Sequence, residues 1–141
     1  MHHAVLNELD QLGLAVLVKD LSTARYVYAS EAASRLLHAG DDVLEGSQDA
    51  DIFDALQAVA LRAADVQAAS MPNGLRSEHR MELRGTRRDF RVCRQKVTVE
   101  GVSETHMLSL WQDITEAHQR DAQIAQALAQ LEQQQKANDA L

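Results

Sequence analysis

A chain of 141 residues, 45% hydrophobic and 25% charged, has the make-up of one soluble globular domain large enough to bury a core of its own. Its formal charge of −7 argues against sequence-independent nucleic-acid binding, which needs a basic face to displace phosphate counterions, and disfavours an anionic membrane surface. The single cysteine, Cys93, excludes an internal disulfide and a cysteine-rich zinc site and fits a cytoplasmic location, while no apolar run approaches the roughly 20 residues that span a bilayer and no signal-peptide core opens the chain.

Val5, Leu6, Leu9 and Leu12 follow helical spacing, which predicts an amphipathic helix over residues 1–12 that stops near Gly13. Leu14 to Val18 is continuously apolar, as a central strand covered on both faces would be. "ARYVYAS" reads as its hairpin partner across a "DLST" turn, and Ser30 is placed to cap a helix over "EAASRLLH" that ends before Gly40. Gly40 to Asp51 has room for short turns only. Between Asp51 and Ala69, Ile52, Phe53, Leu56, Val59, Leu61 and Val66, padded with alanine, predict one or two helices, which "MPNG" ends.

From Gly74 the period becomes two. Leu75, Ser77, His79, Met81 and Leu83 alternate with charged residues, which predicts a strand wet on one face, followed by a turn at Gly85-Thr86. In "RDFRVCRQKVTVE", Phe90 and Val92 share one phase and Val97 and Val99 the other, so a bulge is expected near Arg94 to Lys96. A turn around Gly101 leads to "THMLSLWQD", apolar on both faces. The order is strand, strand, helices, strand, strand, strand.

This order and its landmarks resemble a PAS domain, or sensory box, from about Leu9 to Thr115. "VLVKD" followed by "YVYASEAASRLL" is similar to the family's first hairpin and following helix, although the family often has Asn where this chain has Ser30. "GSQDADIF" resembles the Gly-x-x-Asp-x-Asp-x-Phe stretch that opens the middle helices in one PAS subgroup, and "DITE" resembles the exit motif of the last strand. The resemblance implies an α+β fold: a five-stranded antiparallel sheet with helices on one face enclosing a small-molecule pocket, here residues 13–115, with an added N-terminal helix and a long C-terminal helix. It implies no particular activity. It does imply that Asp113, Ile114 and Thr115 transmit signals from sheet to helix.

The junction also has a direct physical reading. No Gly or Pro separates the apolar strand ending "LSLW" from the helix-forming run after Thr115, so Thr115 is expected to cap the new helix and Glu116 to add charge at its positive end. A signalling helix is expected over residues 116–141, and it would be about 39 Å long, too long for one domain to cover. Ile124, Leu128 and Leu131 fall on a three-four spacing continued by Gln135 and Asn138, which suits a short parallel coiled coil and hence a homodimer. "NDAL" at residues 138–141 resembles the opening of a GGDEF domain, which implies a diguanylate cyclase effector and cyclic di-GMP signal transduction. A histidine kinase effector is the alternative.

Chemistry within the body is sparse. No carboxylate pair, nucleophile with a matched base or phosphate loop stands out, so the chain reads as a regulatory module and not an enzyme, with no catalytic residue and no metal site. Cys93 lies on a predicted strand, not in the helical Asn-Cys motif of flavin-binding relatives, and reads as a packed residue. Leu56 to Ser70 holds no histidine of the kind that ligates haem in some PAS domains, and His38 and His79 do not match that position, so neither haem nor flavin is expected. Phe53, Ser77, His79, Met81, Phe90, Arg94 and Trp111 are the pocket candidates, with His79 and Arg94 orienting a polar or anionic small ligand. The competing reading is a ligand-free dimerisation scaffold whose interior Phe53, Met81, Leu83, Phe90 and Trp111 fill.

Overall fold

β1 (Ala15–Asp20), β2 (Arg25–Ala29), β3 (Leu75–Leu83), β4 (Thr86–Thr98) and β5 (Thr105–Asp113) pair antiparallel in the order β2-β1-β5-β4-β3 in a computed structural model that describes residues 3–37, 44–98 and 105–140. The helices are α1 (His3–Gln11), α2 (Glu31–Leu36), α3 (Asp49–Ile52), α4 (Ala55–Ala69) and α5 (Thr115–Asp139). Central β1 buries Ala15, Val16 and Leu17, as its unbroken apolar run requires. The helices α2 to α4 cover the sheet face that carries Leu17, Met81, Phe90, Val92 and Trp111. There Phe53 stacks on Trp111 with ring centroids 6.0 Å apart, and Phe90 meets the same indole edge-on at 5.6 Å.

Local chemistry sets the connections. The Asp20 carboxylate accepts from the Ser22 amide and hydroxyl at 2.8 and 2.7 Å and so closes the β1–β2 turn. Ser30 Oγ accepts from Ala33 N in α2 and from Val16 N in β1, so one hydroxyl caps the helix and fixes it to the sheet. Asp10 at the end of α1 accepts from Ala32 N at 2.8 Å, which docks α1 on α2. At Gly74, which has φ +79°, a Cβ would collide with the Arg94 carbonyl, so only glycine fits between α4 and β3.

Several expectations are corrected. Pairing along β4 runs without a break from Phe90↔Asp113 to Thr98↔Thr105, so no bulge lies at Arg94 to Lys96. Lys96 is exposed and Val97, on the other face, is half-buried; burial changes face there while the ladder keeps its register. The irregularity lies instead between Val18 and Lys19 in the β1–β2 pairing. The β3–β4 turn is Arg84-Gly85, both with positive φ, the two-residue hairpin geometry. In α4 the buried stripe is Leu61, Ala64, Asp65 and Ala68, while Leu56, Val59 and Val66 face outward. Leu12 lies beyond α1 and is exposed. His38, Gly40, Val99, Gly101 and Leu141 lie outside the described residues.

Candidate functional site

A polar seam crosses the inner face of the sheet. Lys19 is a charged residue in a central strand and is only 6% exposed, so its ammonium needs partners. It donates to Asp49 Oδ2 of α3 and Asp65 Oδ2 of α4, each at 2.6 Å, and sits 4.8 Å from the centroid of the Tyr26 ring. Arg94 of β4, 3% exposed, donates from Nε to Asp65 Oδ1 at 2.9 Å and from Nη1 to Ser77 Oγ at 2.8 Å. The Tyr26 hydroxyl donates to Asp49 Oδ1. Two cations and two carboxylates thus close a neutral cluster, every carboxylate oxygen of which has a donor.

Titration behaviour follows from this arrangement. Burial, then the charge of Asp49, pushes the Tyr26 phenol well above its usual range and keeps it a donor. His79 is held below the ordinary histidine value, first by burial and then by the Arg94 guanidinium, so the ring is neutral near pH 7. Its Nε2 lies 2.8 Å from Ser77 Oγ, which accepts from Arg94 and has its own hydrogen left for the ring. Trp111 Nε1 donates to Ser109 Oγ at 3.1 Å on the next strand position of that face.

The seven residues singled out in the sequence divide by environment. Phe53, Met81, Phe90 and Trp111 are buried in the apolar core, and Ser77 and His79 are half-buried beside Arg94. Arg94 and Trp111 border a small interior void of about 10 Å³, enough for one water at most. None of the seven lines the larger opening. That is a groove of about 420 Å³ between the β1–β2 turn, α3 and α4, whose charged lining is Lys19, Asp49, Arg62 and Asp65. Lys19, Tyr26, Asp49 and Asp65 escaped sequence reasoning as site residues. A lysine inside an apolar strand and an aspartate inside an alanine-rich helix were the available signals.

A second constellation sits where β5 becomes α5. Thr115 is the first helical residue and Ile114 holds the cap position without any side-chain cap bond, so Thr115 is not the helix cap. Asp113 Oδ1 takes that part, accepting from Thr115 N at 2.9 Å and from its hydroxyl at 2.6 Å. The freed acceptor role of Thr115 Oγ1 goes to β4, where it receives Asp89 N at 2.9 Å, and Ile114 N donates to Asp89 O at 2.8 Å. The Asp89 carboxylate receives Arg80 Nε at 3.0 Å and His118 Nδ1 of α5 at 3.2 Å. The Arg80 bond is the main cause holding that carboxyl below its usual value, with His118 adding to it against a burial penalty. Asp113, Ile114 and Thr115 are therefore all bonded into one knot between β4, β5 and α5.

Beyond that knot α5 leaves the body. Its 25 residues reach about 37 Å, and past His118 every described residue is exposed. Ile124, Leu128 and Leu131 are 57%, 57% and 61% exposed along one stripe. No helix among the described residues is long and apolar enough to cross a membrane, and no group of three His, Cys, Asp or Glu side chains among them is arranged to hold a metal ion.

Comparison with known proteins agrees with this architecture. The family model for the PAS fold matches residues 9–119. No curated protein matches the chain. Among solved structures, it is similar to the PAS domain of BvgS from Bordetella pertussis, at 16% identity over 93% of this chain and 96% of that one, with a TM-score of 0.63. A PAS domain from Colwellia psychrerythraea superimposes with a TM-score of 0.66 at 15% identity, covering 80% of this chain and 96% of that one. A sensory box histidine kinase/response regulator from Burkholderia thailandensis E264 matches at 12% identity over 94% and 99% of the two chains, with a TM-score of 0.62. With the family model spanning the sheet, its covering helices and the knot at Asp113 to Thr115, the chain belongs to the PAS family.

Proposed function

We propose that this PAS domain is a regulatory input module, not itself an enzyme, that works as a cytoplasmic homodimer and relays the state of its sheet through α5 to a C-terminal effector. The observation that carries the reading is the knot at Asp89. Two bonds at its backbone amide and carbonyl and two at its carboxylate tie Asp89 of β4 to β3 and to the start of a 25-residue helix that otherwise stands clear of the body. A change in the tilt of β4 or β5 must move that helix with it. The apolar stripe of Ile124, Leu128 and Leu131 supports pairing with a second α5, because three exposed large side chains on one face gain burial only from a partner.

The effector is a diguanylate cyclase, a reading supported by the likeness of Asn138, Asp139, Ala140 and Leu141 to the opening of a GGDEF domain. A histidine kinase is the second reading, favoured by the similarity to PAS domains from such kinases. The filled interior around Phe53, Phe90 and Trp111 also favours a scaffold role over a ligand in the core, and neither haem nor flavin enters this reading. The test is to purify the chain together with the sequence its gene encodes after Leu141, and to assay GTP conversion to cyclic di-GMP and ATP-dependent autophosphorylation. Cyclic di-GMP formation that changes when Thr115 is replaced by Val supports the proposal. Autophosphorylation alone moves the module to a kinase, and output blind to Thr115 removes the relay role.

A further inference from the structure

We propose that the groove between the β1–β2 turn, α3 and α4 binds a small, largely apolar monocarboxylate, with Arg62 as the carboxylate anchor. The proposal deepens the reading of the chain as an input module, but binding itself is measured on the chain without any effector.

The cavity bordered by Tyr26, Arg94 and Trp111 on the core side is about 10 Å³, too small for a ligand, and the paired Lys19 and Asp65 stand between it and the groove, lining both. The groove, at about 420 Å³, falls in the range of small-molecule sites, roughly 300–1,000 Å³. Its walls are made by small or branched apolar side chains: Ala58, Val59, Val66 and Ala69 on one face of α4, Ala50 of α3 and Leu21 of the hairpin turn. Alanines at positions 58 and 69 are what leave the room. Val59 and Val66 are 68% and 65% exposed, so an apolar occupant would bury surface that the fold leaves wet.

Charge selects the polar end. Asp49 and Asp65 have each oxygen engaged by Lys19, Arg94 or Tyr26, so their charge is already compensated and a cationic ligand would have to compete with buried partners for it. Donors are in surplus. Lys19 makes two hydrogen bonds with three ammonium hydrogens, and Arg62 has no hydrogen bond or ion pair among the described residues. Lys19, Arg62 and Arg94 set against Asp49 and Asp65 leave one positive charge, which one carboxylate would neutralise. The planar guanidinium of Arg62 offers the paired donors that a carboxylate accepts best.

The experiment titrates the chain with 4-phenylbutyrate and its uncharged and cationic counterparts, 4-phenylbutanamide and 4-phenylbutylamine, followed by calorimetry and amide chemical shifts. Expected are shifts confined to α3, α4 and the β1–β2 turn, and carboxylate affinity at least about tenfold above the amide and the amine, the size of one charge-assisted hydrogen bond. Arg62→Gln should lower carboxylate affinity about tenfold and leave the amide unchanged. Ala58→Phe should abolish binding of the carboxylate; if that variant does not fold, Val59→Trp, at an exposed position, makes the same obstruction. No shift with any probe at millimolar concentration, equal affinity for the amine, or shifts centred on other elements would each overturn the site. Binding with the expected selectivity but without effect on an attached effector would keep the site and overturn the input reading.

Discussion

Thr115 and Asp89 stand 26 positions apart, and the hydroxyl of the one accepts the backbone amide of the other at 2.9 Å. The bond joins the first residue of α5 to β4, and Thr115 is buried. Thr115→Val keeps the shape and removes the acceptor, so the Asp89 amide loses its partner in a part-buried position. The expected loss is about 1–3 kcal/mol in urea unfolding, with faster hydrogen exchange in the first turn of α5. Thr115→Ser keeps the oxygen and should retain most of the stability. A Thr115→Val midpoint equal to wild type would mean that the knot does not hold the helix.

The charged cluster gives a sharper contrast. Asp65 receives both Lys19 and Arg94, so Asp65→Asn leaves two buried cations short of one carboxylate, at a cost of roughly 3–5 kcal/mol. The triple change Lys19→Met, Asp49→Leu and Tyr26→Phe removes a cation, an anion and the hydroxyl that served the anion, and leaves Arg94 paired one to one with Asp65. It should be more stable than the single Asp65→Asn variant despite three substitutions. Denaturant midpoints in the opposite order would show that the cluster contributes through Lys19 and not through charge balance.

Periodicity made the sheet legible, and it left the cluster hidden for a physical reason. The alternation from Leu75 to Leu83 reports which face of β3 is wet, and Ser30 stands where a capping hydroxyl belongs. Lys19, Asp49 and Asp65 meet across separations of 30 and 46 positions, so the setting of Lys19 in an apolar strand and of Asp65 among alanines could mark each as unusual but could not say that they pair. In α4 alanine is apolar in every direction, so the pattern could not say that Leu56, Val59 and Val66 face outward while Asp65 faces in. At Thr115 the residue type suggested a cap, but the amide it serves belongs to a strand that no local rule connects to it.

His79 makes stability depend on pH between neutrality and mild acid. Its folded value is lowered from 6.5 by burial and by Arg94, so as pH falls the unfolded chain takes up the proton first. The neutral ring's contribution is therefore fully present above pH 6.5 and is lost as the pH falls below it toward the folded value. Asp89 and Asp20, lowered from 3.8, lose their contributions only in stronger acid, so they do not enter this window. The melting temperature should fall from pH 7.5 to pH 5.5, and the fall should be shallower in His79→Gln. Parallel curves for the two proteins would assign the dependence to another group.

The exposed stripe of α5 sets the assembly state. Ile124, Leu128 and Leu131 follow four- and three-residue steps, the spacing that returns side chains to one seam of a two-stranded coiled coil, and Gln135 and Asn138 continue it with polar residues. A seam of three apolar layers buries little, so the chain should be in measurable monomer–dimer exchange at micromolar concentration. Leu128→Asn with Leu131→Asn removes most of the apolar layers and should shift the chain to monomer in sedimentation equilibrium. The body should be untouched, because both side chains are exposed and lie well beyond the last half-buried position of the helix, His118. Near-ultraviolet circular dichroism from Trp111, buried between Phe53 and Phe90, provides the control. A variant that stays dimeric with an unchanged Trp111 signal would place the self-association on the body of the domain and leave α5 a single helix.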